Sequence, residues 1–386
     1  MVRSHKKCTQ TACQKNNNLL PKSTLLIITI IFFLSCQRSE KVTNNSLSEF
    51  RTTIDSLYDA TIPPDSPGAA VLVSYRGEML IGKGFGLRNL ETNEPVTAST
   101  NFRIASVSKQ FTALCILKLM DEGKLRLNDS VQKYLPYPIF KNMTIEQLIN
   151  HTSGLPSFDD YFLNHWDRTR IVKNTDVLDW LLTNPEPGFS PGEGWEYSNT
   201  AYLMLALIVE KVSGMEFSAY AKNHIFHPLG MDSTNYYSLV NPINIPERAF
   251  CYEQDSTGMY EKVDGFFMNG IMGDGAVYTS INDYYNYDLT LHKKKFLSGS
   301  TQELLFKPSS TRKKNGQVRH YSMGWHVTDT TAYHTGGWIG ANAFTIRYLK
   351  KPLTVVIFMN KNTLFTSGLI DKTLNLTQAY LDKNNQ

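Results

Sequence analysis

Near the start of its globular part the chain carries apolar residues at helical intervals. Leu47, Phe50, Ile54, Leu57 and Tyr58 predict an amphipathic helix over 46–60, ended by Pro63-Pro64. The period then changes. Residues 69–74 are a short apolar run rich in strand formers, a turn follows at Arg76-Gly77, and 79–85 supply the second arm of a hairpin. From about 106 to 290 helical patterns and long loops dominate: 106–122 with Gly123 as its C-terminal cap, 144–150, 175–183, and 200–212 ending at Ser213-Gly214. Strands return at 322–328, 332–335, 341–348 and 353–359, joined by short turns that imply antiparallel neighbours. A last helix is predicted over 364–381. Strands at both ends with helices between them predict an α+β fold: an antiparallel sheet flanked by N- and C-terminal helices, with a mostly helical domain inserted. The expected lobes are 47–105 with 291–386 for the sheet and 106–290 for the helices.

The first 46 residues do not belong to this pattern. Arg3, Lys6, Lys7, Lys15 and Lys22 precede an apolar run over 23–34, as in an export signal. At about a dozen residues the run is shorter than the roughly 20 a spanning helix needs. It closes with Phe33-Leu34-Ser35-Cys36, which resembles the bacterial lipobox, with Phe33 where leucine is usual. The expectation is a lipoprotein signal over 1–35, lipidation of Cys36, a polar tether over 36–46 and attachment to the bacterial cell envelope through that lipid. An ordinary signal peptide with an incidental cysteine is the other reading.

This segment also distorts the charge. The formal net charge is +4, from 39 basic and 35 acidic residues. Without the five basic residues of 1–35, 34 basic face 35 acidic side chains. Near-neutrality argues against a nucleic-acid partner. The runs Lys293-Lys294-Lys295 and Arg312-Lys313-Lys314 read as solvated surface. With Cys8 and Cys13 in the signal and Cys36 lipidated, Cys115 and Cys251 remain, too few for a disulfide framework. No cysteine or histidine cluster has metal-ligand spacing, so neither metal nor cofactor is expected.

Three short motifs carry candidate chemistry. Ser106-Val-Ser-Lys109 opens a strongly apolar helix, where unpaired N–H groups favour negative charge on the serine oxygen. The i, i+3 spacing brings the lysine amine to that oxygen. Ser-x-x-Lys recurs at Ser4/Lys7, Ser130/Lys133 and Ser310/Lys313 without such a helix. A serine that merely caps a core helix fits the motif equally well. Tyr197-Ser-Asn199 lies where a Pro/Gly-rich loop enters the helix near Thr200; a phenol beside an ammonium can act as general base, and Asn199 offers a donor and an acceptor. A buried structural tyrosine is the alternative, and Tyr284-Tyr-Asn286 repeats the pattern. His334-Thr335-Gly336-Gly337 sits on a predicted strand, whose paired glycines suggest close approach of a ligand or of another backbone segment; a bulge next to a core histidine is the alternative.

In this order the three motifs resemble the serine β-lactamase and penicillin-binding-protein superfamily. The tyrosine of the second motif, with Pro67-Gly-Ala-Ala-Val, Phe102-Arg-Ile-Ala-Ser-Val-Ser-Lys109, Leu148-Ile-Asn-His-Thr-Ser-Gly-Leu155 and Ile225-Phe-His-Pro-Leu-Gly-Met231, is similar to the class C branch. The likeness spans about 47 to 381. It implies Ser106 as nucleophile, Lys109 and Tyr197 sharing the proton transfers, and Asn199 holding Lys109 and the substrate. It further implies His334 and Thr335 facing the substrate, Gly336 in the same binding strand, and an oxyanion hole from the Ser106 and Gly337 N–H groups. The implied activity is a serine hydrolase forming an acyl-enzyme with small-molecule or peptide acyl substrates, such as D-amino-acid peptides and esters. A true β-lactamase and a catalytically weak penicillin-binding sensor are the other members of the family to weigh. His334 departs from the lysine of class C lactamases, which weakens the expected attraction for a substrate carboxylate. Glu146-Gln-Leu-Ile-Asn150 imitates an element of class A enzymes but precedes Tyr197, so Glu146 reads as a helix-surface residue.

Overall fold

The structure, a computed structural model, describes residues 45–314 and 317–384; the expected signal peptide, Cys36 and most of the tether lie outside them. Among the described residues no helix is long and apolar enough to cross a membrane.

The centre of the molecule is an eight-stranded antiparallel sheet. From one edge its strands are Ser310–Lys314, Gln317–Ser322, Trp325–Val327, Thr331–Trp338, Ala341–Tyr348, Leu353–Met359, Ala69–Tyr75 and Glu78–Phe85. The two ends of the chain therefore meet in mid-sheet, where Ala69–Tyr75 pairs along its whole length with Leu353–Met359. Both strands read as nearly unbroken apolar runs because both of their faces are buried. Val71, Val73, Val355 and Ile357 face one core together with Phe50, Ile54 and Leu381 of the terminal helices. Ala70, Leu72, Val356 and Phe358 face the other, larger core, which the middle of the chain fills.

In that larger core lies the helix Lys109–Asp121. Phe111, Ala113, Leu114, Cys115, Ile116, Leu117 and Leu119 are all inaccessible to solvent, so this helix is surrounded rather than amphipathic. The helix Asn199–Ser213 packs against it, capped by the Ser198 side chain, which accepts from the Ala201 N–H at 3.1 Å, and by Gly214 in the left-handed conformation.

Several expected boundaries move. The helix expected from 106 is a 3₁₀ turn, Ala105–Ser108, that passes into the α-helix at Lys109. The single strand expected over 322–328 is two, because Met323 and Gly324 both take positive φ and reverse the chain between Ser322 and Trp325. The last helix is Leu369–Asn384 rather than 364–381. Helices Asp159–His165 and Ile281–Lys293 and the small sheet joining Phe102–Arg103, Val277–Thr279 and Asn235–Tyr236 interrupt the expected loops. Lys293, Lys294 and Lys295 are exposed, and Cys115 and Cys251 are buried free thiols.

Candidate active site

Ala105 takes a φ of 45°, a left-handed value that costs a residue with a Cβ about 1–3 kcal/mol. It turns the chain out of the short strand Phe102–Arg103 and into the 3₁₀ turn bearing Ser106. In such a turn side chains three apart eclipse each other, which sets Lys109 over Ser106. The strand Thr331–Trp338 closes on this turn from the other side. A Cβ on Gly336 would stand 2.2 Å from the Ile104 carbonyl oxygen, so only glycine lets strand and turn touch. On Gly337 the nearest atoms to such a Cβ are 3.8 Å away, leaving space on the cavity side.

Lys109 is fully buried, and its three N–H donors are all used. They reach Ser106 Oγ at 3.3 Å, Asn199 Oδ1 at 2.8 Å and the Asp274 carbonyl at 2.7 Å. Asn199 is oriented in turn: its Nδ2 donates to the Asp159 carboxylate at 3.2 and 3.3 Å. An amide held by a cation on one side and an anion on the other has one orientation. Lys109 Nζ also lies 4.8 Å from the centroid of the Tyr197 ring, while the Tyr197 hydroxyl is buried with no hydrogen-bond partner.

His334 shares the strand face that meets the Ser106 turn through Gly336, and its ring lies 6.2 Å from that of Tyr197, centroid to centroid. It is buried, its Nδ1–H donates to the Thr335 carbonyl at 2.6 Å, and its Nε2 accepts from the Tyr321 hydroxyl at 3.1 Å. Burial, then the charges of His326 and Lys109, hold its pKa well below the usual histidine range. His151 is a second buried, neutral imidazole, its pKa depressed by burial and by Lys109. Its Nδ1 accepts from the Ser198 N–H at 3.1 Å, and its ring packs 4.4 Å from Tyr197 and 4.5 Å from Tyr321, centroid to centroid. His151 thus ties down the loop that presents Tyr197 and Asn199. Strand alternation turns Thr335 and Gly337 outward, opposite to His334 and Gly336. Ser106, Asn199 and Gly337 line one cavity of about 110 Å3, together with Phe158, Trp338 and Asp274.

The model of the family described as Beta-lactamase matches residues 59–379. The chain belongs to that family. Penicillin-binding protein 4* of Bacillus subtilis is 33% identical over 326 residues, 81% of this chain and 72% of that protein. Protein flp of Staphylococcus aureus is 29% identical over 352 residues, 86% of this chain and 66% of its own length. Among solved structures, the penicillin-binding protein from Bacillus halodurans superposes with a TM-score of 0.72 at 23% identity, over 83% of this chain and 98% of that one. The D-amino acid amidase from Ochrobactrum anthropi SV3 in complex with D-phenylalanine also gives 0.72, at 20% identity, over 88% and 99%. These likenesses establish a β-lactamase-type fold.

Within the Beta-lactamase fold the competing motifs are structural. Ser130 caps a 3₁₀ turn and Lys133 pairs with Asp129 at 3.0 Å. The Tyr284 hydroxyl is spent on Gln110 and Thr345, and Asn286 donates to the Gly230 carbonyl at 2.7 Å. Glu146 is exposed on its helix. Asp159, Asp274 and Tyr321 went unnoticed in the sequence. Asp159 sits 40 residues from the amide it orients, and no periodicity or spacing connects the two.

Proposed function

We propose that the protein is a serine hydrolase that forms an acyl-enzyme on Ser106 with amide or ester substrates, D-amino-acid peptides and esters among them. The observation that carries this reading is Lys109 Nζ at 3.3 Å from Ser106 Oγ, held there by Asn199 and the Asp274 carbonyl. Ser106 Oγ attacks the substrate carbonyl and gives up its proton. An ammonium has no lone pair with which to take that proton; a neutral Lys109, keeping two N–H groups for Asn199 Oδ1 and the Asp274 carbonyl, turns its lone pair to Ser106 Oγ and can. Tyr197, whose hydroxyl has no partner in the resting site, is the second carrier and delivers the proton to the leaving group. Oxyanion stabilisation falls to the backbone N–H groups of Ser106 and Gly337, each typically worth about 100- to 1000-fold in rate. Thr335, on the outward face of its strand, contacts the leaving side, and His334 packs beside Tyr197. Water then releases the acyl group.

We place the protein outside the cytoplasm, anchored through a lipid on Cys36, with the cleft between its sheet-built and helical parts. The supporting features are the basic and apolar segments of 1–35 and the Ser35-Cys36 pair.

The test is intact-mass measurement on the purified full-length chain treated with a fluorophosphonate and with benzylpenicillin, beside Ser106→Ala. An adduct on the wild type alone supports the acyl-enzyme. A long-lived penicilloyl adduct favours peptidase chemistry, and rapid penicillin loss favours a lactamase. Equal labelling of wild type and variant, or none, overturns the assignment of Ser106.

A further inference from the structure

The cavity beside Ser106 contains a cation that the proposed proton transfers do not use. Arg103 lies three residues before the nucleophile, on the short strand that pairs it with Tyr278, and its side chain lines the cavity with Ser106, Asp274 and Gly337. It is only 6% exposed, yet its Nε is buried without a hydrogen-bond partner, and no ion pair to it is present among the described residues. The other buried arginine among the described residues, Arg347, is paired with Asp288. Arg248, near Arg103, is paired with Asp264 at 2.6 Å.

A guanidinium keeps its charge at any working pH and presents a planar fork of donors suited to a carboxylate. Burying it unpaired is unfavourable, and an anion in the cavity would relieve that. The neighbouring Tyr278 phenol and Cys251 thiol are both kept protonated by burial, the thiol pushed up to about 12, so neither supplies the countercharge. Asp274 lies within electrostatic reach on the cavity wall but not in contact. The third motif supplies no cation either, because His334 is buried with its Nε2 accepting from the Tyr321 hydroxyl and its Nδ1–H donating to the Thr335 carbonyl.

From this we infer that Arg103 is the anion-recognition residue of the cleft, and that the preferred acyl group carries a carboxylate seated against its guanidinium. This rests on the acyl-enzyme reading of Ser106. Arg103, Ser106, Gly337 and Trp338 line the same cavity, and the acyl chain is placed in it. Phe158, Met268 and Trp338 supply apolar walls for the methylenes.

The experiment compares kcat/KM for 4-nitrophenyl hydrogen glutarate with that for 4-nitrophenyl 5-methylhexanoate, in which an isopropyl group replaces the carboxylate. Rates are corrected for hydrolysis in buffer. In the wild type the charged ester is expected to be favoured at least tenfold. Arg103→Gln should lower that ratio at least tenfold and Arg103→Lys at least threefold. A structural role for Arg103 would slow both esters alike and leave the ratio in place. A wild-type ratio near one, or an unchanged ratio in the variants, overturns the inference. Should circular dichroism show Arg103→Gln unfolded, Arg103→Lys decides. Should neither ester turn over and fluorophosphonate fail to label Ser106, the acyl-enzyme reading falls by itself. Calorimetry with glutarate against glutaramide then tests Arg103 directly. Binding of glutarate at least tenfold tighter, and weaker in Arg103→Lys, upholds the anion site; equal binding removes it.

Discussion

The Asp159 carboxylate lies 3.2 Å from the amide nitrogen of Asn199, and this contact decides which way Asn199 points its oxygen. The oxygen is thereby turned to Lys109 at 2.8 Å. A residue 40 positions before Asn199 therefore sets the geometry of the first motif.

Removing that carboxylate frees the amide to rotate. Asp159→Ala is expected to lower kcat/KM for an activated ester about 10- to 100-fold, in line with the 1.5–3 kcal/mol of a hydrogen bond to a charged group. Asp159→Asn keeps an acceptor and should recover most of the loss. Steady-state kinetics of both variants check this, and equal activity in Asp159→Ala and wild type would discard the orienting role.

Lys109 serves packing as well as chemistry. Lys109→Ala strips the donor from Asn199 Oδ1 and from the Asp274 carbonyl. Urea denaturation should show a loss of about 1–3 kcal/mol, the usual result of leaving a buried acceptor unpaired. Fluorophosphonate labelling of Ser106 should slow by about a thousandfold or more.

The two glycines of the third motif should respond differently to a methyl group. Gly336→Ala drives a Cβ into the Ile104 carbonyl and should destabilise by about 1–3 kcal/mol, displacing the Ser106 turn as it does so. Gly337→Ala meets nothing closer than 3.8 Å and should stay within about 0.5 kcal/mol of the wild type while obstructing the substrate. Thermal midpoints and kcat/KM for each variant separate the two effects.

His151 and His334 give stability a defined pH dependence. Both have pKa values depressed in the folded protein, so below the ordinary histidine value near 6.5 the unfolded chain binds protons that the folded one refuses. Their stabilising contribution is full above that pH and lost as pH falls below it. With both histidines involved, the slope approaches about 2.7 kcal/mol per pH unit. Urea midpoints between pH 7.5 and 5 measure this, and a flat profile would show that neither histidine is held neutral by the fold.

Much of the site could be read from the chain because its parts are local. Ser106 and Lys109 are one turn apart, and the apolar run that follows announces the buried helix they open. Tyr197 and Asn199 sit at a loop-to-helix junction marked by Pro, Gly and the capping Ser198. Gly336-Gly337 stood out as a place of close approach, and the interior strands were legible because both their faces are apolar.

What only the tertiary structure decided depends on contacts between residues distant in sequence. The period of a strand specifies which residues share a face, but not what lies opposite that face. Gly336 meets the Ile104 backbone, Gly337 meets open space, and His334 pairs with the Tyr321 hydroxyl and packs near Tyr197. Asp159 carries no local pattern that links it to Ser106, and neither the period nor the spacing of the segments that hold His151 and Arg103 shows what their side chains meet. Their positions follow from folding two ends of the chain into one sheet and packing the middle against it, and long-range packing of that kind leaves no periodic trace in the sequence.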